Sequence, residues 1–81
     1  MLLTEEQLIF LTKKFIYVIE SNKKAMIDSI TYYNIANSYR DDFDLYLQSH
    51  SFTEDEIDLY WDQFYFNIIV NKANELFVIV R

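Results

Sequence analysis

The sequence predicts an α+β domain that is mainly α: three to four helices followed by a C-terminal β-hairpin, with an all-α four-helix bundle as the alternative. Three observations carry this expectation. Two segments open with the same helix-start grammar, and apolar residues recur at helical spacing over most of the chain. The last part holds short aromatic and β-branched runs around a turn-like tetrapeptide. At 81 residues the chain reads as a single small domain spanning 1–81.

The first helix start is Leu3-Thr4-Glu5-Glu6-Gln7-Leu8. Thr4 is placed as N-cap and Gln7 as its capping-box partner, with Leu3 against Leu8 as a hydrophobic staple; together they satisfy amide donors that a first turn leaves unpaired. The helix should run from Glu5 to Ser21, with Leu8, Leu11, Phe15, Val18 and Ile19 on its inner face. Ile9 and Ile16 flank one side of that face and Phe10 and Tyr17 the other, so the apolar arc is wide. Such a helix is contacted from several directions.

A second helix is expected over about residues 24–37, with Met26, Ile30, Tyr33 and Ala36 inward. The periodicity then drifts near residues 37–40. A short third helix over about residues 41–49 would use Phe43, Tyr46 and Leu47. The fourth opens with Phe52-Thr53-Glu54-Asp55-Glu56-Ile57, the same capping grammar, and carries Ile57, Tyr60, Trp61 and Phe64 inward. After it, residues 64–70 and 76–80 read as two strands joined by a turn at Asn71-Lys72-Ala73-Asn74. A lone hairpin is marginal in water, so it should pack on the helices.

Charge is the most informative property of the sequence. The net charge is −6, and residues 41–62 hold eight acids (Asp41, Asp42, Asp44, Glu54, Asp55, Glu56, Asp58 and Asp62) with no Lys or Arg. The rest of the chain holds five acids against seven bases. Carboxylates favour helix N-termini, which accounts for Glu54, Asp55 and Glu56, and for Asp41, Asp42 and Asp44 if a helix starts there. Asp58 and Asp62 are left over. On a helix they share a stripe with Asp55, where like charges cost a few tenths of a kcal/mol per pair.

That stripe rises about 10 Å, a length on the scale of nucleotide steps along a phosphate backbone. The expected partner is a basic protein surface, such as that of a nuclease or other nucleic-acid-binding protein. The expected partner-binding set is Asp41, Asp42, Asp44, Asp55, Asp58 and Asp62, with Tyr46, Tyr60 and Tyr65 as aromatic anchors. Phe52 and Phe66 also interleave with the acids, whereas Trp61 reads as core. The same charge disfavours direct contact with DNA or RNA.

Composition excludes much chemistry. Without cysteine there are no disulfides, which fits a reducing, cytoplasmic setting. The N-terminus is acidic where a secretory signal is basic, and no apolar run approaches the roughly 20 residues of a membrane span. His50 is the only histidine and sits between Ser49 and Ser51 in an expected loop. Neither a zinc site nor a catalytic constellation is legible, and without glycine there is no phosphate-binding loop. No cofactor and no enzyme activity are expected. Abundant Ile, Asn, Lys, Tyr and Phe are residues of AT-rich codons, pointing to an AT-rich genome, virus or plasmid.

Leu3-Thr4-Glu5-Glu6-Gln7 with Phe10 and Phe15 resembles the opening helix of calmodulin-like EF-hand proteins over about a third of the chain. In that register Lys24 stands where a calcium ligand belongs, Ala25 where the turn takes glycine, and Thr31 where a bidentate glutamate closes the site. A calcium site is excluded on those residues. The function expected is therefore that of a non-enzymatic inhibitor of the immunity, antitoxin or phage anti-host (anti-CRISPR) type. The alternatives are a homo-oligomeric structural or adaptor module, a homodimer being the simplest, and a winged-helix-like regulator that recognises protein.

Overall fold

A computed structural model describes residues 2–25 and 28–77. Its elements are α1 (Glu5–Ser21), a 3-10 turn (Lys23–Ala25), α2 (Ser29–Ser49), α3 (Glu54–Phe64), a π-helical segment (Tyr65–Ile69) and α4 (Val70–Leu76). The last three run on as one rod, because the junction residues Phe64, Tyr65, Ile69 and Val70 all have helical backbone angles. Three rods therefore pack together in a body of 41 × 24 × 20 Å.

Both capping boxes form. Gln7 N–H donates to Thr4 Oγ1 at 3.1 Å and Thr4 N–H to Gln7 Oε1 at 2.9 Å. At the start of α3, Glu56 N–H donates to Thr53 Oγ1 at 3.2 Å and Thr53 N–H to Glu56 Oε1 at 2.8 Å. The first helix has the expected ends. Leu11, Phe15 and Ile19 are buried on its inner face, while Leu8 and Val18 are only partly covered.

The expected second and third helices are a single helix of 21 residues. It starts late, at Asp28, whose carboxylate accepts from Thr31 N–H at 2.8 Å. That backbone bond, then one to the Thr31 side chain, holds the Asp28 carboxyl below its ordinary value. The buried set is Tyr32, Ala36, Tyr39, Phe43 and Leu47, at intervals of four, three, four and four. Ile30, expected inward, is 72% exposed; Tyr33 is half-buried; Met26 lies outside the described residues. With Tyr32 and Tyr39 as the buried tyrosines, the helical period runs without drift through residues 37–40.

The C-terminal hairpin, and with it the winged-helix alternative, is overturned: there is no strand among the described residues, and the all-α reading fits. Residues 64–70 are helical, and the supposed turn at Asn71-Lys72-Ala73-Asn74 lies inside α4. Residues 78–80 of the expected second strand lie outside the described residues. Strand propensity at Ile68, Ile69 and Val70 loses to packing. Ile57, Trp61 and Phe64 call for the next buried position at residue 68, yet Ile69 and Ala73 are the buried ones. The π turn absorbs that one-residue slip, with Val70 N–H reaching back five residues to the Tyr65 carbonyl.

Helix α2 closes without glycine. Phe52 N–H donates to Leu47 O and Ser51 N–H to Gln48 O, both at 3.1 Å, a Schellman closure with Ser51 at φ 68°. A non-glycine residue in this left-handed conformation costs about 1 kcal/mol. Ser51→Gly is expected to stabilise the fold by about 0.5–1 kcal/mol in urea denaturation.

The core is aromatic. The Phe15 ring lies 5.5 Å from Tyr39, 5.7 Å from Phe64 and 6.4 Å from Tyr32, and Phe43 packs edge-on to Trp61 at 5.1 Å. Two buried tyrosines tie the rods together. Tyr39 OH donates to the Leu11 carbonyl of α1 at 2.8 Å, and Tyr32 OH to the Ile69 carbonyl of the π segment at 2.6 Å. Desolvation, helped by nearby acidic groups, pushes both phenols above their ordinary value of 10.0.

The folded chain thus keeps these protons where the unfolded chain releases them. The stability this contributes is complete below about pH 10 and lost as the pH climbs through the raised folded values. An alkaline titration should show two of the seven tyrosines ionising only together with loss of helical circular dichroism. Combining Tyr32→Phe with Tyr39→Phe should uncouple the two signals.

Candidate protein-docking surface

In the antiparallel pairing of α2 with α3, Phe43 meets Trp61 in the core and Tyr33 stacks on Tyr65 at 6.0 Å nearer the other end. Above this seam lies Arg40, the only Lys or Arg between Lys24 and Lys72. Its Nε donates to Asp44 Oδ1, one turn along α2, and its Nη2 to Asp58 Oδ1 on α3. The guanidinium carbon lies 5.5 Å from the Trp61 ring centroid. Partial burial opposes the charged form of Arg40, but the bonds to Asp44 and Asp58 outweigh it and its pKa is raised.

Asp58, which has no base near it in the sequence, is thereby relieved by one that is near it in the fold. The relieving residue lies 18 positions away and reaches it across the seam. Asp58 is still 60% exposed, so the pair is a surface contact of modest strength. Asp55 and Asp62, one turn to either side of Asp58 on the same stripe of α3, are exposed. Neither has an ion pair among the described residues.

The acids of α2 divide. At 100° per residue, Asp44 lies towards α3, Asp41 points away from the core, and Asp42 lies on the other flank. Asp42 there raises the pKa of Tyr39, whose hydroxyl rests on α1. Asp44 and Asp58 thus meet at the α2–α3 seam with Arg40 between them, Asp55 and Asp62 flank Asp58 on its stripe of α3, and Asp41 stands on the outer side of α2.

Of the three expected anchors, only Tyr65 borders that surface, half-buried between Tyr33, Trp61 and the 69% exposed Phe66. Tyr46 belongs to the α1–α2 seam, 4.8 Å from the Phe10 ring and 4.3 Å from His50. Tyr60 faces the N-terminal turn, where its hydroxyl oxygen accepts from Leu3 N–H at 3.1 Å, and its ring packs edge-on to Phe52. His50 Nδ1 is engaged with the Tyr46 carbonyl at 2.8 Å. Among the described residues no group of three His, Asp or Glu side chains is placed to hold a metal ion. No described helix is long and apolar enough to cross a membrane.

The third seam, between α1 and the α3–π rod, was not anticipated. It holds a cavity of about 150 Å³ lined by Leu3, Leu8, Tyr60, Phe64 and Ile68 among others. A wider opening of about 270 Å³ continues it past Ile16, Asn67 and Lys72. The broad apolar arc of α1 was its only trace in the sequence; the π turn that places Asn67 and Ile68 there left none. Compared with protein-family models, curated proteins and solved structures, the chain matches none of them.

Proposed function

We propose that the chain is a non-enzymatic inhibitor that binds a basic, nucleic-acid-handling protein through the acidic α2–α3 face. The observation that supports this is the span of Arg40. A single guanidinium touches Asp44 of α2 and Asp58 of α3, so acids from the two helices stand within one side chain's reach of each other across the seam, with Arg40 neutralising part of their charge. The field of these acids steers encounter with a positive surface, and its exposed members offer carboxylates to Lys and Arg that otherwise meet phosphate. Tyr65 and Phe66 lie at its edge as the aromatic contribution. A host-directed or mobile-element role fits the small size and the abundance of Ile, Asn, Lys, Tyr and Phe.

Arg40 supplies the test. In this reading it moderates the field, so Arg40→Gln should lower stability by no more than about 1 kcal/mol while strengthening binding and steepening its salt dependence. The partner is first captured by affinity pull-down from cells of the source, at low and high salt, and identified by mass spectrometry. Affinity of the captured protein should fall at least about tenfold as salt rises from 50 to 300 mM. Salt-independent binding, or weaker binding by a folded Arg40→Gln variant, would sink the proposal.

A further inference from the structure

We infer that the outer face of α1 is a self-association surface whose occupant is a second copy of this chain, docked antiparallel across a two-fold axis at Ile9. The inference stands apart from the inhibitor reading and uses a different face. Ile9 is 46% exposed, and Ile16 and Leu8 are each 37% exposed, on a helix whose inner stripe is already filled. Leu8 and Ile16 form the α1 wall of the groove along the α3–π rod, and Ile9, outside that lining, is more exposed than either. Exposed apolar residues grouped beside an open groove are the kind of patch that marks an interaction surface.

Charge identifies the occupant. Glu5, Ile9 and Lys13 recur at intervals of four, so they climb one stripe of α1 as acid, apolar, base. That order is complementary to its own reverse. An antiparallel second copy sets Ile9 against Ile9 and each Glu5 opposite the other copy's Lys13, twice, as an isologous contact requires. A parallel arrangement would instead set Glu5 on Glu5 and Lys13 on Lys13. The acidic α2–α3 seam lies away from this contact, so the net charge of each copy does not meet across it.

Sedimentation velocity on the full chain, from 10 to 500 µM at low salt, should show concentration-dependent conversion to dimer. Ile9→Asp should raise the dissociation constant at least about tenfold. Glu5→Lys and Lys13→Glu should each weaken association about fivefold, because each creates two like-charge contacts across the axis. Combining the two reversals should bring affinity back to within about twofold of the native chain, with helicity and thermal unfolding recorded for every variant. The double variant carries the same first-turn penalty as Glu5→Lys, so its recovery cannot come from helix stability. A native chain that stays monomeric throughout, an Ile9→Asp variant that dimerises normally, or a double variant weaker than either single one overturns the inference. Asp55→Lys/Asp62→Lys should leave dimerisation unchanged, and its loss there would move the interface to the acidic seam and overturn the assignment to α1.

Discussion

Replacing Phe15 with alanine is expected to remove about 3–5 kcal/mol, the cost of leaving a cavity where a large aromatic was packed. The whole stability of a domain this size is roughly 4–12 kcal/mol, so the variant should be largely unfolded or close to it. Phe15 is fully buried and its ring contacts reach both other rods: Tyr32 and Tyr39 on α2, Phe64 on α3. Two of these three neighbours, Tyr32 and Tyr39, cannot move into the space without breaking the hydroxyl bonds that hold their rings in place. Where the variant still folds, the melting temperature should drop by more than about 12 °C. Ile30→Ala is the matched control. That side chain is 72% exposed, and its loss should change stability by less than about 0.5 kcal/mol. Equal losses for the two variants would contradict the packing described for α1 and α2.

The contrast between Phe15 and Ile30 also marks where the sequence was legible. Local grammar is readable because its partners lie three or four residues apart. Thr4 with Gln7, and Thr53 with Glu56, announce helix starts that the structure contains, and the α1 stripe through Leu11, Phe15 and Ile19 follows from spacing alone. What failed depends on partners far away. Tyrosine is ambivalent in a periodic reading, since a buried ring needs a place for its hydroxyl. Tyr32 and Tyr39 find theirs on carbonyls 37 and 28 residues distant, so the long α2 was misread as two helices. The π turn shifts the buried register from residue 68 to 69, which no fixed period accommodates, and the β-branched run there imitated a strand.

The acidic surface was legible by composition but not by arrangement. Its two halves meet at Arg40, which sits just outside the acid run and spans to Asp58 over 18 positions. The tyrosines illustrate the same limit. Tyr46, Tyr60 and Tyr65 are interleaved with acids along the chain, but helix geometry sends them to three different seams. Only Tyr65 keeps company with the carboxylates. Interleaving in sequence is therefore a weak guide to proximity when half a turn of helix separates opposite faces.

Reversing Asp55 and Asp62 to lysine is expected to abolish capture of the basic partner while the fold survives. These two are the informative positions because they carry charge without the Arg40 clamp, whereas Asp44 and Asp58 are engaged by it. Reversing Asp58 would strand Arg40 beside a lysine and confuse loss of fold with loss of binding. The double reversal moves the net charge from −6 to −2 and leaves two cations facing the partner's own Lys and Arg. Like-charge contacts of this kind cost several kcal/mol at an interface, so affinity should fall by more than about a hundredfold. Asp55 sits in the first turn of α3, where a lysine opposes the helix dipole, at a stability cost of about 0.3–1 kcal/mol. Asp55→Asn/Asp62→Asn removes the charges without introducing opposing ones, and should give an intermediate loss and a shallower salt slope. Circular dichroism and thermal melting separate these outcomes from misfolding. A folded Asp55→Lys/Asp62→Lys variant that captures the same protein with undiminished affinity would rule out the α2–α3 face as the site of contact. Uniform loss in the lysine and asparagine variants, without any change in salt slope, would mean that shape rather than charge makes the contact.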